Sequence, residues 1–388
     1  MKKQIFIVLI SLLLLISYPI TTTAANNHQS NFNLYKLLES GGDYLIDYKL
    51  KNMSLAEKVG QLFQVGFHSK TIDKEIEDLI KNYHIGGVIY FSRNIENLKQ
   101  TSSLSKNLQE LALNSGAGIP LFISVDQEGG KVRRIKDLTY FPANIEIGAT
   151  GDKELSRKAA AVTGKELKEL GINVNLAPVL DVNNNPSNPV IGSRSFGADP
   201  ELVAEMGVAY IEGLQGEGVV ATAKHFPGHG DTAVDSHFEL PVINHDRERL
   251  DQIELYPFKK AIEAGVDSIM VAHIYFSDIE PEAGMPATLS KAVLNNLLRE
   301  ELNFEGVIIT DDLEMGAITN FFGTAAAAVK TIEAGSDIVL ISHSYDKQKK
   351  AIEAVIAAVE NGKISEKRIE ESLKRIIKLK GKRINIFK

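Results

Sequence analysis

Eight short apolar runs, each followed by a longer amphipathic stretch, alternate along this chain and constrain its fold more than any other feature. Each run is rich in Val, Ile or Phe and lacks polar alternation, which is typical of a strand covered on both faces. The predicted strands are Gly60–Gly66, Gly87–Phe91, Pro120–Val125, Val174–Val182, Val219–Lys224, Ser268–Ala272, Gly306–Thr310 and Asp337–Ile341. The predicted helices between them include Asp152–Leu170, Pro200–Gln215, Arg247–Ala264, Ser290–Leu302 and Thr324–Ala334.

This alternation predicts an α/β fold, a single closed (β/α)8 barrel of the TIM type. The alternative is an open, doubly wound sheet, which normally carries a glycine-rich phosphate-binding turn after its first strand. No such turn follows the first apolar run, and no Pro/Gly/Ser-rich linker divides the chain after about residue 44. We therefore expect one barrel domain over residues 44–388.

The N-terminus has the composition of a secretory signal peptide. Lys2 and Lys3 precede an apolar run from Ile5 to Ile20, and small residues follow up to Ala25. A membrane-spanning helix is the alternative, but a run of about 16 residues is shorter than the roughly 20 that a bilayer requires. We predict a signal peptide over residues 1–25 and a flexible leader over 26–43. The protein is then secreted or cell-envelope associated, without a membrane span after cleavage.

Composition and charge exclude several classes of protein. The chain has no cysteine, which excludes disulfides, thiolate metal sites and a lipid anchor on cysteine. The formal net charge is −7, and removing Lys2 and Lys3 with the signal peptide changes it to −9. The sequence contains no basic stripe of the kind that indicates a nucleic-acid partner. The sequence leaves the oligomeric state open, and a monomer is compatible with it.

Charged and imidazole side chains follow five successive apolar runs at the same end. The active site of a barrel lies at the carboxyl ends of its strands, so these residues are expected to converge. Strand ends that simply meet solvent would explain polar residues at one or two of these positions. They explain less well why five successive ends carry them. The residues are Asp126 after the third run, Asp181 after the fourth, Lys224 and His225 after the fifth, His273 after the sixth, and Asp311 and Asp312 after the seventh.

The densest polar segment, residues 224–237, holds three of the nine histidines. Its Pro and Gly residues exclude a helix, so its histidines are not a helical metal-binding pair. Two chemical interpretations stay open from the residues alone. In one, a divalent metal that activates water is bound by His225, His229, His237 and either Asp231 or Asp235. In the other, Asp235 fixes the tautomer of His237, which transfers protons.

Several strings in this chain resemble the signature of glycoside hydrolase family 3, in its NagZ-like β-N-acetylglucosaminidase (β-N-acetylhexosaminidase) branch. The most specific is KHFPGHGDT at residues 224–232, followed by DSH at 235–237. Supporting strings are VDQEGG at 125–130, APVLDV at 177–182, GSRSF at 192–196 and TDDLEM at 310–315. They occur in the order of the family and spread over residues 55–345.

The resemblance implies a retaining glycosidase that uses no metal and no other cofactor. Asp311, the first Asp of the TDDL string, is then the nucleophile that forms a glycosyl-enzyme. His237, held by Asp235, is then the acid/base, in place of the usual second carboxylate. Asp311 also continues the strand parity of Val307 and Ile309, which sets all three on one face.

The same resemblance carries over further residues and a substrate. The residues that match sugar-binding positions are Asp126, Arg134, Arg194, Lys224 and His225. The residues expected to support the loop or the barrel rim are Asp181, His229, Asp231 and His273. The implied substrate is a non-reducing terminal β-linked N-acetylglucosamine on a glycan or muropeptide derived from peptidoglycan.

Three alternative functions remain. A β-glucosidase or β-xylosidase of the same family would usually carry a carboxylate acid/base on another domain. A metal-dependent barrel hydrolase would need histidines on its first strand, where residues 61–64 offer none. A catalytically inactive sugar-binding protein is disfavoured because the nucleophile and the dyad are both intact in the sequence.

Overall fold

The computed structural model describes residues 44–384, so the predicted signal peptide and leader lie outside the described residues. Eight parallel strands close into a barrel in which sequence neighbours pair and the last strand pairs with the first. In chain order, β1 to β8 are Phe63–Gly66, Gly87–Tyr90, Phe122–Val125, Val174–Asn175, Val220–Phe226, Ser268–Val271, Val307–Asp312 and Ile338–Ile341. The predicted (β/α)8 barrel is confirmed.

Helices cover the outside of the barrel. Those that follow β1 to β8 in turn are Lys74–Lys81, Leu98–Leu113, Lys153–Glu169, Pro200–Gly216, Tyr256–Glu263, Ala292–Glu301, Thr324–Ala334 and Tyr345–Glu360. Ala292–Glu301 is π-helical. Further helices are residues 44–51, Leu55–Gly60, Asn144–Gly148, Arg247–Gln252, Gly316–Thr319 and Glu366–Arg383. Among residues 44–384, we find no helix that combines the length and apolarity needed to cross a membrane.

Side-chain caps define where many of the helices begin. A carboxylate or hydroxyl at the N-cap accepts a hydrogen bond from a backbone N–H group of the first turn, which otherwise lacks an intrahelical partner. Each such cap contributes about 1 kcal/mol to stability. The capping residues include Asp73, Asp152, Asp199, Ser344 and Ser365.

The apolar strands are buried from both sides, as their continuous apolar runs predict. All residues of β1, β2 and β3 are buried. One apolar cluster joins the strands β1 to β3 and β8 to their flanking helices, and a second surrounds β5 and β6. Because both clusters are close-packed, they hold the strand ends at fixed positions.

Three predicted boundaries are wrong for identifiable reasons. The predicted strand Val174–Val182 is regular only at Val174–Asn175; beyond Pro178, which has no N–H to donate, an isolated bridge still joins Val179 to Lys224 of β5. The predicted helix Arg247–Ala264 is divided in two, and Pro257 lies in the first turn of the second part. Gly60 ends a helix rather than beginning the first strand.

Candidate active site

A pocket of about 500 Å³ opens at the carboxyl end of the barrel. It brings together all eight residues that the sequence predicts as catalytic or substrate-binding. These are Asp126, Arg134, Arg194, Lys224, His225, Asp235, His237 and Asp311. His229 also lines the pocket, whereas Asp181, Asp231 and His273 are not among its lining residues.

A buried cluster of opposite charges forms one side of the pocket. Lys224, on β5, places Nζ 2.8 Å from Oδ1 of Asp126 and 2.7 Å from Oε1 of Glu128. Arg194 donates two hydrogen bonds to Glu128, at 2.9 Å from Nε and 2.8 Å from Nη2. Arg134 Nη2 lies 3.3 Å from Asp126. Three cations therefore face two carboxylates, and the shared contacts fix the orientation of each side chain.

The charge cluster keeps Glu128 ionised although its side chain is fully buried. Burial raises the pKa of Glu128, but Arg194 and Lys224 outweigh it and hold that pKa well below its usual range. Burial lowers the pKa of Lys224, but Asp126 and Glu128 outweigh it and the pKa lies above its usual value. Glu128 and Lys224 are therefore both charged at neutral pH. Removing the counter-ion of either one would leave an uncompensated buried charge and destabilise the fold.

Asp181 fixes the turn that follows β5. Its Oδ2 accepts a hydrogen bond of 2.6 Å from Nδ1 of His225, and its Oδ1 accepts from the backbone N–H groups of His225 and His229. On the other side of the ring, Nε2 of His225 lies 3.3 Å from Nη2 of Arg194. Because a guanidinium group can only donate, Nε2 is the acceptor and the proton of His225 is on Nδ1.

His229 uses both ring nitrogens to hold the loop in shape. Nδ1 lies 2.7 Å from Oγ1 of Thr232, and Nε2 lies 3.0 Å from Oγ of Ser236. Burial lowers the pKa of His229 to about 4, so the ring is neutral at pH 7. Both ring nitrogens therefore contact residues of the same loop, and a support role for His229 stays a prediction.

Asp235 and His237 are in direct contact at the mouth of the pocket. The Nδ1–H group of His237 donates to Oδ1 of Asp235 at 2.6 Å, and the same oxygen accepts the backbone N–H of His237 at 2.9 Å. Burial raises the pKa of Asp235, but the hydrogen bonds from His237 lower it below its usual value. The His237 ring is 58% exposed, so Nε2 can exchange protons with a bound molecule.

The loop that carries His237 packs against the helix Gly316–Thr319. The Gly316 N–H donates to the carbonyl oxygen of His237 at 3.0 Å, and the Ala317 N–H donates to that of Ser236 at 3.2 Å. A Cβ atom at Gly316 would lie 2.6 Å from the His237 carbonyl oxygen. Glycine at this position therefore permits the close approach of the loop.

Two adjacent carboxyl groups at the end of β7 differ in their environment. Burial raises the pKa of Asp311, but interactions with His273 and His225, the backbone N–H of Asp312 and the cation of Lys224 together hold it below its usual value. Burial raises the pKa of Asp312 to about 7. Asp311 lines the pocket as an ionised carboxylate, which is the state that a nucleophile requires.

His273 lies beneath these carboxyl groups and contacts the protein through both ring nitrogens. Nδ1 lies 2.7 Å from Oγ1 of Thr288, and the Nε2–H group donates to the backbone oxygen of Asp312 at 2.9 Å. Burial lowers the pKa of His273, which favours a neutral ring. His273 therefore supports the end of β7 and does not line the pocket.

Among the pocket residues not predicted from the sequence are Glu128 and His343. Glu128 has the same parity as Asp126 after β3, which is a signal that both point to one side. His343 follows β8, contacts the Phe91 ring with centroids 5.3 Å apart, and places Nε2 3.5 Å from Asp312. The strand end after β8 was not among the five that the sequence analysis singled out.

The histidines of the 224–237 segment do not converge as a set of metal ligands. His225 and His229 use both ring nitrogens in contacts with protein groups, and His237 directs Nδ1 at Asp235. Among residues 44–384, three possible metal-ligand groups with atoms within 4.8 Å of one another belong to Asp231, His245 and Glu254. The cation of Arg249 already contacts both of these carboxylates, at 3.1 and 3.4 Å.

The fold and the pocket define a (β/α)8-barrel protein with an enzyme-like site of ionised carboxylates, buried cations and neutral imidazoles. Comparison with protein families makes the assignment specific. The model for the glycosyl hydrolase family 3 N-terminal domain matches residues 54–379. The chain belongs to glycosyl hydrolase family 3.

Known relatives agree with this assignment. The chain is similar to beta-hexosaminidase A of Pseudoalteromonas piscicida, with 41% identity over 333 residues, which cover 80% of this chain and 56% of that protein. It is also similar to the solved structure of a glycoside hydrolase family 3 beta-N-acetylglucosaminidase from a Paenibacillus species. That structure has 51% identity and a TM-score of 0.84, over 85% of this chain and 63% of that one.

A third relative is of similar length to this chain. The beta-N-acetylhexosaminidase from Beutenbergia cavernae has 32% identity and a TM-score of 0.78, over 84% of this chain and 98% of that one. The match with the Pseudoalteromonas and Paenibacillus relatives spans between half and two thirds of their length.

Proposed function

We propose that this chain is a retaining exo-β-N-acetylglucosaminidase, which removes a non-reducing terminal N-acetylglucosamine through a covalent glycosyl-enzyme. The observation that carries the proposal is the shared pocket. Asp311, held ionised at the end of β7, lines the same cavity as the Asp235–His237 pair. The names of the relatives support the identity of the sugar, because they are hexosaminidases and N-acetylglucosaminidases.

In the first step, a carboxylate oxygen of Asp311 attacks the anomeric carbon and forms the glycosyl–enzyme bond. The bond from that carbon to the leaving oxygen breaks, and Nε2 of His237 donates its proton to this oxygen. Asp235 at Nδ1 fixes the tautomer, so Nε2 is the nitrogen that faces the reaction. In the second step, His237 removes a proton from water, the water attacks the same carbon, and Asp311 leaves, which retains the anomeric configuration.

The charge cluster holds the terminal sugar in this proposal. Asp126 and Lys224 are placed to exchange hydrogen bonds with hydroxyl groups, and Arg134 and Arg194 can donate to hydroxyl or carbonyl oxygens. His225 is fixed by Asp181, so its ring forms a rigid part of the wall. Preformed contacts of this kind position a substrate without a further cost in side-chain ordering.

The proposed natural substrate is a fragment of peptidoglycan, met outside the cytoplasmic membrane. The predicted signal peptide supports export, where products of wall turnover are present. Lys131, exposed on the turn after β3, lines the pocket and offers a positive charge to an acidic aglycone. A muramyl residue or a stem peptide carries such carboxylates.

The proposed activity is tested with matched 4-nitrophenyl β-N-acetylglucosaminide and β-glucoside. We expect the wild-type chain to give the higher kcat/KM on the N-acetylglucosaminide by at least about tenfold, which corresponds to roughly 1.4 kcal/mol. Preference for the glucoside would contradict the proposed sugar. Absence of hydrolysis of both substrates would contradict the proposed activity.

Replacing His237 by Ala is expected to lower kcat by about 10²- to 10⁴-fold, the usual contribution of a positioned acid/base. The midpoint of thermal unfolding should change little, because the ring is largely exposed. Added azide should restore turnover, since an anionic nucleophile needs no base. Asp235→Asn is the matched variant and should reduce kcat in the same direction. A kcat within twofold of wild type in His237→Ala would contradict the role of the dyad.

Chelation separates the proposed mechanism from a metal-dependent hydrolase. We expect turnover of the N-acetylglucosaminide to be unchanged, within about 20%, after dialysis against EDTA, because Asp311 replaces a metal-activated water in the first step. The measurement is initial rate before and after dialysis, with zinc or manganese added back as the control. A loss that the added metal reverses would favour the metal-dependent alternative.

A further inference from the structure

Two large apolar side chains beside the dyad are exposed. Phe238 directly follows His237 and is 71% exposed, and Phe321 lies after the helix Gly316–Thr319 and is 65% exposed. Single exposed apolar residues are common on protein surfaces and need no explanation. These two belong to different loops, which follow β5 and β7, and both loops border the same pocket.

Hydrogen bonds hold the two phenylalanine positions next to each other. Nδ2 of Asn320, the neighbour of Phe321, donates to the carbonyl oxygen of Phe238 at 3.0 Å. The Gly316 N–H donates to the carbonyl oxygen of His237 at 3.0 Å. A Cβ atom at Gly316 would also lie 2.8 Å from the carbonyl oxygen of Phe238. The dyad and the two phenylalanines therefore belong to one connected unit at the rim.

The acid/base identifies which part of a substrate this unit faces. In the proposed function, His237 gives its proton to the oxygen of the leaving group, so that group must lie next to the His237 ring. Neither phenylalanine lines the pocket that receives the terminal sugar. Phe238, one residue after the acid/base, and Phe321 are exposed beside it, so a leaving group that extends from the pocket past His237 would reach them.

We propose that Phe238 and Phe321 form an acceptor-side subsite on which the sugar ring of the leaving group packs. The inference rests on the proposed function and adds a preference for saccharide leaving groups. Aromatic side chains offer a large apolar surface at a low cost in conformational entropy. The apolar C–H face of a pyranose ring matches that surface, while its hydroxyl groups remain in water.

A subsite for the leaving group changes kinetics in a specific way. Binding energy from a part of the substrate that does not react can be used to orient the glycosidic bond in the transition state. A substrate with a very small leaving group cannot use this surface. The two phenylalanines should therefore raise kcat/KM for an oligosaccharide relative to a methyl glycoside, whose leaving group needs the same proton but has no sugar ring.

The test compares chitotriose with methyl β-N-acetylglucosaminide, whose small leaving group also takes its proton from His237, in the wild type, in Phe238→Ala, in Phe321→Ala and in the double variant. We expect the ratio of kcat/KM for chitotriose to that for the methyl glycoside to fall at least about tenfold in the double variant. Phe238→Tyr and Phe321→Tyr should keep the ratio close to that of the wild type. Tyr44→Ala is the matched control, because Tyr44 is 77% exposed and does not line the pocket.

The outcomes separate the subsite from a structural role and from failure of the proposed function. An unchanged ratio, whether both rates fall together or neither falls, would overturn the subsite. A wild-type enzyme that cleaves neither the methyl glycoside nor chitotriose would overturn the proposed function itself. A fall of the ratio in the alanine variants, restored by tyrosine, supports the subsite.

Discussion

Asp311→Asn is expected to reduce kcat on an aryl β-N-acetylglucosaminide at least about 10⁴-fold, the scale seen when a nucleophile is removed. The amide has nearly the same shape, and its oxygen can still accept the Asp312 N–H bond that Asp311 accepts at 2.8 Å. It has no negative charge and cannot form a stable ester with the anomeric carbon. The loss should therefore be chemical rather than structural.

The measurement is kcat together with the midpoint of thermal unfolding. Asp312→Asn is the matched control, since Asp312 is the adjacent carboxyl group and burial raises its pKa to about 7. We expect the control to retain much more activity than Asp311→Asn. A loss below tenfold in Asp311→Asn, or a greater loss in the control, would show that Asp311 is not the nucleophile.

Glu128→Gln is expected to lower the free energy of unfolding at pH 7 by about 3–5 kcal/mol, the cost of breaking a buried ion pair. The substitution removes the carboxylate that Lys224 and Arg194 share, and Lys224 then keeps its ion pair with Asp126 while Arg194 loses its ion pair with Glu128. A neutral amide of similar size cannot replace the charge that both cations share. Glu110→Gln, which breaks an exposed contact with Lys106, is the control and should have a much smaller effect.

The effect of Glu128→Gln should depend on pH in a defined direction. Because the pKa of Glu128 is lowered in the folded state, its contribution to stability is fully present above about pH 4.5, the usual value. The contribution is lost as the pH falls below that value toward the folded-state pKa. Denaturant unfolding at several pH values measures the difference between the two proteins. The difference in unfolding free energy between wild type and Glu128→Gln should become smaller in acid. If it does not, or if it is below about 1 kcal/mol at pH 7, the proposed role of Glu128 is wrong.

The barrel was predictable because its strands are buried on both faces. The apolar runs around β1 to β3 and β5 to β8 needed only local composition to be recognised. The β4 region was less predictable, since its apolar residues continue to Val182 while the regular strand ends at Asn175 and only an isolated bridge at Val179 follows. Similarly, the amphipathic pattern of 247–264 does not reveal that the helix is interrupted before Tyr256. Apolar periodicity reports burial, but it does not report where a regular strand or helix is interrupted, and a proline lies near both interruptions.

The site was predictable where its chemistry lies in local strings and less so where it depends on distant contacts. Asp235 and His237 are two residues apart, so their pairing could be expected from the sequence. Glu128 contacts Arg194 and Lys224 across 66 and 96 positions, and only the closed barrel brings them together. The same holds for His343, which approaches Asp312 because β8 pairs with β7.

The central claim is that Asp311 forms a covalent bond to the sugar, and trapping that bond tests it most directly. The wild type would be incubated with 5-fluoro-N-acetyl-β-glucosaminyl fluoride, in which the ring fluorine slows hydrolysis of the glycosyl-enzyme, and then digested and measured by mass spectrometry. The account predicts one fluoroglycosyl adduct, on the peptide that contains Asp311, and no adduct in Asp311→Asn. An adduct on another carboxylate, or no adduct together with product of inverted configuration, would contradict it.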